Sequence, residues 1–370
     1  MQITFGVEEE YFLVDAAGGA LVAGSGRVLP GALERLGVGV TTELNLCQIE
    51  GDTPVCTTLD QLRTELGRLR SGLTAAARAE GLAVVALASH PFSAWEDQRI
   101  DSGNPRYVVM EERYETLARE QIICGCHVHL GFGNRDLEIL VLDRIRPWLP
   151  VLLALSANSP FWQGADTGYA SYRTQIWTRW PTAGMPPDLG SRARYEEVVA
   201  ELVSAGAIAD PTHLYWYARP SVRFPTLEFR ICDVCLGLDD SVAIAGLIRG
   251  LAWVCAADAI VGSPKPATSP TLLDAAVWRA SRFGLTDQLV HPLTAEPQPA
   301  AVVVEALLDV ARPGLEAHDD WAEVTDLVAR IMTDGTGAER QRAAFRAGGS
   351  VGVVEEAMRG MAPNPVDEPG

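Results

Sequence analysis

Lysine is almost missing from this chain. Lys265, in the loop Ser263-Pro264-Lys265-Pro266, is the single lysine among 370 residues, and arginine supplies every other basic side chain. A Walker-type nucleotide site needs a Gly-Lys-Ser/Thr sequence, and a Schiff-base enzyme needs a lysine in a pocket; Lys265 fits neither. Phosphate, if bound at all, must be held by arginine, metal or backbone amides. Basic charge is scarce in general, with a net charge of -18. A nucleic acid or an anionic membrane would be repelled over most of such a surface, so neither is expected as a partner. An anionic small substrate would need local arginine or metal.

Long apolar runs are missing too. The longest apolar region read from the sequence, Trp148 to Trp162, is interrupted by Pro150, Asn158 and Pro160. No membrane span or export signal is visible, and a cytoplasmic location is expected. The seven cysteines are an odd number, read as free thiols in a reducing compartment. Cys232-x-x-Cys235 lacks a second pair, and Cys124-Gly125-Cys126-His127-Val128-His129 packs its candidates too tightly for structural zinc.

What is present, at 48% hydrophobic composition, suffices for one large core. Strand patterns dominate before residue 232: the segment from Gly6 to Asp15, then 40–50, 82–88, 122–130, and a hairpin over 213–222 and 226–231. Helical spacing marks 59–81, with Leu62, Leu66, Leu69 and Leu73 on one face, then 105–120, 137–155 and 192–206. Nearly everything after residue 238 reads as helix: 238–261, 272–283, 300–310, 321–332, 338–347 and 351–361. Residues 159–190 form a long irregular region dense in Trp, Tyr, Gly, Pro and Arg, and such loops tend to be functional. The expected fold is α+β: a single domain over 1–362, its mostly antiparallel sheet covered by helices on one side, with a loose tail at 363–370.

Four extended segments carry polar groups where a buried face should be apolar. Alternation puts Glu8 and Glu10 on one face of the first strand and Glu9 on the other. Glu228 and Arg230 share a face opposite Leu227, Phe229 and Ile231; His127 and His129 share one opposite Val128 and Leu130. Glu43 and Glu50 are seven apart, so they can serve one site only with a bulge or turn between them. Taken singly, each has a plain reading: a solvated edge strand, an exposed strand end, a hydrogen-bonded histidine pair. Together, Glu8, Glu10, Glu43, Glu50 and Glu228 with His127 make an oxygen-rich set suited to magnesium or manganese rather than zinc. Arg230 adds a cation whose planar fork suits a phosphoryl group or a carboxylate.

Gly6-Val7-Glu8-Glu9-Glu10, Thr42-Glu43 through Glu50-x-x-Thr53-Pro54, Cys124 to Gly131, and Leu227-Glu228-Phe229-Arg230 resemble the motifs of the glutamate–cysteine ligase superfamily, most closely its YbdK-like carboxylate–amine ligase branch. The similarity covers nearly the whole chain, including Arg173 with Trp177 to Pro187 and Gly337 to Arg342. The resemblance implies a sheet of about six strands curved into a funnel, with ATP at one end and amino-acid substrates at the other. It places Glu8, Glu10, Glu43, Glu50 and Glu228 on magnesium-binding positions, His127 near metal and nucleotide, Arg230 on phosphate, and Arg173 on substrate or phosphate. Its implied chemistry is ATP-dependent amide formation through an acyl phosphate, with Mg2+ (or Mn2+) and a glutamate-like carboxylate and an amine as partners. A homodimer is left open. The alternatives are a related phosphotransferase or ammonia-using glutamine synthetase-like enzyme, a metal-dependent hydrolase built on His127, His129 and the glutamates, and a non-catalytic binding protein.

Overall fold

The computed structural model describes residues 1–361, so the expected boundary at 362 and the tail at 363–370 lie outside the described residues. The strands are β1 (Thr4–Asp15), β2 (Val40–Thr42), β3 (Gln48–Asp52), β4 (Leu82–Val85), β5 (Gly125–Gly131), β6 (Phe161–Trp162), β7 (Ala165–Asp166), β8 (Ala218–Pro220), β9 (Leu227–Asp233), β10 (Gln288–Val290) and β11 (Pro297–Pro299). The helices are α1 (Ser25–Leu36), α2 (Leu59–Ala79), α3 (Pro105–Tyr114), α4 (Thr116–Arg119), α5 (Arg135–Ile145), α6 (Leu149–Ser156), α7 (Tyr172–Trp177), α8 (Arg192–Ser204), α9 (Leu238–Ile260), α10 (Pro270–Phe283), α11 (Ala300–Glu316), α12 (Trp321–Asp334) and α13 (Gly337–Gly360).

Six strands run in the order β2-β3-β1-β5-β9-β8, and β4 joins the far end of β1 as a seventh. Every pairing in this sheet is antiparallel. The fold is therefore the expected α+β class. One face of the sheet is apolar: Val7 lies opposite Val128 and Val128 opposite Phe229, all fully buried or nearly so. That alternation lets helices cover it. Helix α2 starts at its Thr58 cap, whose hydroxyl accepts from the Gln61 amide, and buries Leu62, Leu66, Leu69 and Leu73.

Helix α9 is long and apolar enough, by length and composition, to cross a bilayer. It is instead the central core helix, packed on α11, α5, α12 and α2, and its fully buried Arg249 pairs with Asp320. The longest apolar stretch on a helix thus lies in α9 rather than in the region 148–162 read from the sequence. At the α9–α11 crossing a Cβ on Gly314 would lie 2.0 Å from the Gly250 carbonyl oxygen, so only glycine permits the approach.

Several elements differ from expectation for local reasons. The 40–50 strand divides into β2 and β3, with Glu43 to Cys47 turned out between them. The 137–155 helix is interrupted by a short 3-10 turn at Arg146–Trp148, where Pro147 and Pro150 remove amide donors. The 105–120 helix breaks at Glu115, which has φ 49°. The irregular region contains α7 and the β6–β7 hairpin; the short β10–β11 pair lies between two expected helices, and α11 continues to Glu316 through Pro313. Gly349, with φ 63°, separates the two expected C-terminal helices within α13.

Candidate active site

The register of β1 assembles the site. Glu8 lies opposite Asp52 on β3 and His127 on β5; Glu10 lies opposite Glu50; His129 lies opposite Glu228 on β9. Directly opposed residues project to the same face, so these pairs pool their carboxylates and imidazoles there. The β5–β9 register shifts between Cys126 and Val128, where His127 stands against both Arg230 and Ile231, so the extra residue lies in β9 and His127 keeps its place in the alternation of β5. The Glu43 side chain returns from the β2–β3 excursion, held by the Leu44 amide at 2.7 Å. This excursion is the turn that the seven-residue spacing required.

Three sets of ligand atoms, each mutually within 4.8 Å, tile this face: Glu8 with His129 and Glu228, Glu8 with Glu50 and His127, and Glu10 with Glu43 and Glu50. All five glutamates expected at the site therefore converge. They line a cavity of about 650 Å3, walled by Tyr107, Trp177, Tyr215 and the hairpin tip between β8 and β9. Glu9 is not among them. It points through the sheet into the core, where Arg70 of α2 donates to both of its oxygens at 2.9 and 2.6 Å and Ser241 and Tyr11 also donate.

Electrostatics divide the carboxylates. Burial, then repulsion from Glu43, Glu8, Asp52 and Glu10, pushes Glu50 well above the usual carboxylate range. Burial also raises Glu10 and Glu43. Glu228 is buried as well, yet Arg219 and Arg230 hold it well below that range. Arg219 Nε donates to Glu228 at 3.0 Å, and Arg230 pairs with its other oxygen. Glu8 is held low against its own burial by His127 Nδ1 at 3.2 Å and His129 Nε2 at 3.0 Å. Burial and then Arg230 lower His127, against the pull of Glu8 and Glu10.

The donor set fits a hard divalent cation. It is mainly carboxylate oxygen, its members repel one another, and His127 Nε2 is buried without a hydrogen-bond partner among the described residues. Arg230 sits over the Trp177 ring at 5.2 Å, and its Nε is likewise unpartnered. Arg173, also on the cavity wall, is more committed: it donates to the Ile231 and Arg230 carbonyls at 3.3 and 3.2 Å and lies 3.8 Å from Asp233. Its guanidinium fits only because residue 125 is glycine; a Cβ there would lie 2.3 Å from Arg173 and 3.2 Å from His127 Nε2. The sequence pairs His129 with His127 and sets it beside the glutamates only in the hydrolase alternative, while Asp52 and Arg219 are not among its candidates. For His129 the shared face was the available signal; for the other two, only strand register reveals them.

Residues 4–362 match the model of glutamate–cysteine ligase family 2. A protein of Frankia alni provisionally named glutamate–cysteine ligase 2-2 is 42% identical over 95% of this chain and 94% of its own length. One from Paenarthrobacter aurescens, provisionally glutamate–cysteine ligase 2-1, is 43% identical over 92% and 90%. Among solved structures, glutamate–cysteine ligase of Francisella tularensis in complex with AMP superposes with a TM-score of 0.74 at 12% identity, over 98% of this chain and 88% of that one. A bifunctional glutathione synthetase from Pasteurella multocida gives 0.72 at 18%, over 97% and 52%. At such identities the two structures establish the shared fold, whereas the family match and the close relatives establish descent: this chain belongs to glutamate–cysteine ligase family 2 and is a carboxylate–amine ligase of that kind.

Proposed function

We propose that the protein joins a glutamate-like carboxylate to an amine at the expense of ATP, with magnesium (or manganese) held by Glu8, Glu10, Glu43, Glu50 and Glu228. A substrate carboxylate oxygen attacks the γ-phosphorus, and the bond to ADP breaks. The amine nitrogen then attacks the acyl carbon, phosphate leaves, and the nitrogen loses a proton to give the amide. A bound cation would supply charge neutralisation for the phosphates. Arg230 supplies the fixed cation: pinned by Glu228 and Trp177, it keeps an unpartnered Nε for a phosphoryl oxygen. His127 and His129 hold Glu8 ionised. Arg173, tied to the β9 backbone, positions the wall beside Arg230.

The observation that carries this reading is the mutual approach of Glu10, Glu43 and Glu50 within 4.8 Å inside the cavity. Charge repulsion makes that arrangement costly unless a cation offsets it. The AMP bound to the Francisella relative supports a nucleotide in this fold. Seven free, buried cysteines fit a reducing, cytoplasmic setting. Hydroxylamine added during ATP turnover tests the chemistry. Recovery of a hydroxamate from the carboxylate supports the acyl phosphate; a stable phosphoryl–nitrogen product instead would assign the protein to phosphotransfer.

A further inference from the structure

The hairpin tip Ser221–Thr226, between β8 and β9, brings the exposed residues Val222, Arg223 and Phe224 to the cavity wall. Phe224 is 45% exposed, in contrast to Trp180 and Tyr215 at 4% and 6%. The tip carries Arg223, whose guanidinium lies over the Phe224 ring at 5.6 Å and whose charge reaches Asp52 but forms no ion pair within 4.0 Å among the described residues. In a chain of net charge -18, Arg223 puts an exposed guanidinium on the rim of an acidic cavity, where a polyanion could reach it. The tip also meets the site directly: Thr226 Oγ1 is 2.8 Å from His129 Nδ1, and the Phe224 ring stands edge-on to His129 at 6.0 Å.

The tip is closed by its own backbone bond from the Ser221 amide to the Thr226 carbonyl at 2.8 Å, and it is clamped from outside the cavity as well. Asn134 caps α5, accepting from the Asp136 and Leu137 amides, and so fixes where α5 begins. The first residue of that helix, Arg135, donates to the Phe224 carbonyl at 3.0 Å and to the Ser221 carbonyl at 3.0 Å. Arg135 is in turn held by Glu138, one turn on, at 3.2 Å. Glu138 is fully buried, and its second oxygen has no hydrogen-bond partner among the described residues, so its role is to orient the arginine. Neither Arg135 nor Glu138 lines the cavity.

We propose that Arg135 and Glu138 are positioning residues that hold the 221–226 tip as the nucleotide-facing rim of the cavity, with Arg223 presented to polyphosphate and Phe224 to the base. The assignment of nucleotide to the rim rests on the ligase reading above; the clamp itself does not. Trp180 and Tyr215 line the same cavity but are buried, whereas the tip is exposed and Arg223 supplies the charge that a polyphosphate needs.

Steady-state ADP release and hydrogen exchange on the full chain test this. Arg135→Met should raise the KM for ATP about tenfold, the worth of one charge-assisted contact, with the carboxylate KM within about twofold. It should also speed amide exchange across 221–226. Arg135→Lys should restore part of both effects, Arg223→Met should raise the ATP KM without altering exchange, and the Arg135→Met/Arg223→Met double variant should be little worse than the worse single. A folded Arg135→Met protein with unchanged exchange and unchanged ATP KM overturns the proposal; if that variant does not fold, an unchanged ATP KM in the exposed Arg223→Met does so for the rim. Faster exchange in Arg135→Met from a wild type that turns over no ATP would retain the clamp and reject the ligase reading.

Discussion

Glu9 and Arg70 form a two-pronged ion pair inside the core, on the opposite side of the sheet from Glu8 and Glu10. Both side chains are fully buried, and Arg70 also donates to the carbonyls of Cys235, Leu236 and Gly360. The pair thereby ties β1 to α2, to the start of α9 and to the end of α13. Arg70→Met leaves a buried carboxylate without its cation and should cost about 3–5 kcal/mol in urea unfolding. Adding Glu9→Leu to it should recover much of that loss; equal stability of Arg70→Met and wild type would show that the pair carries nothing.

The carboxylates on the other face make the opposite prediction. Glu50 is raised by burial and by four neighbouring carboxylates, so Glu50→Gln relieves repulsion when no cation is present. In EDTA the variant should unfold above the wild type by about 1 kcal/mol, and millimolar magnesium should stabilise the wild type more than the variant. An EDTA-treated Glu50→Gln protein less stable than wild type would contradict the repulsion account.

Gly125 tests the fit of Arg173 against His127. A methyl group there meets the Arg173 guanidinium at 2.3 Å. Gly125→Ala should cost about 1–3 kcal/mol and most of the turnover, as overpacking does. Gly26→Ala, with nothing within 4 Å of the added carbon, is the control and should lie within about 0.5 kcal/mol of wild type.

His90 supplies a pH dependence away from the site. Burial pulls its imidazole from 6.5 down to about 4; its Nε2 meets the Gly19 carbonyl at 2.9 Å, and its Nδ1 accepts from the Ser93 amide at 3.0 Å. Between those two values the unfolded chain binds a proton that the folded one refuses. Its contribution is therefore complete above about pH 6.5 and falls as pH drops toward about 4, by roughly 3 kcal/mol in all. His90→Gln should flatten the slope of unfolding free energy against pH in that window. An unchanged slope would remove His90 as its source.

Much of the site was legible because strand alternation is a strict rule: it separated Glu9 from Glu8 and Glu10, and paired Glu228 with Arg230 and His127 with His129. The Glu43–Glu50 spacing demanded a turn, and the excursion between β2 and β3 provides it. Register was not legible, because which residues stand opposite each other depends on loops of any length; so Asp52 and Arg219 stayed hidden. Arg70 lies 61 residues from Glu9, and nothing local in the sequence joins them. Helix breaks at Glu115 and near Pro147 depended on packing that periodicity does not record.

The most direct measurement is magnesium-dependent ADP release with a panel of carboxylates and amines, run on wild type, Glu10→Gln and Glu228→Gln. The convergence of Glu8, Glu10, Glu43, Glu50 and Glu228 predicts release by the wild type that needs magnesium and a carboxylate, and none above background from either folded variant. Near-normal turnover in Glu10→Gln or Glu228→Gln would remove that residue from the metal site and contradict the account.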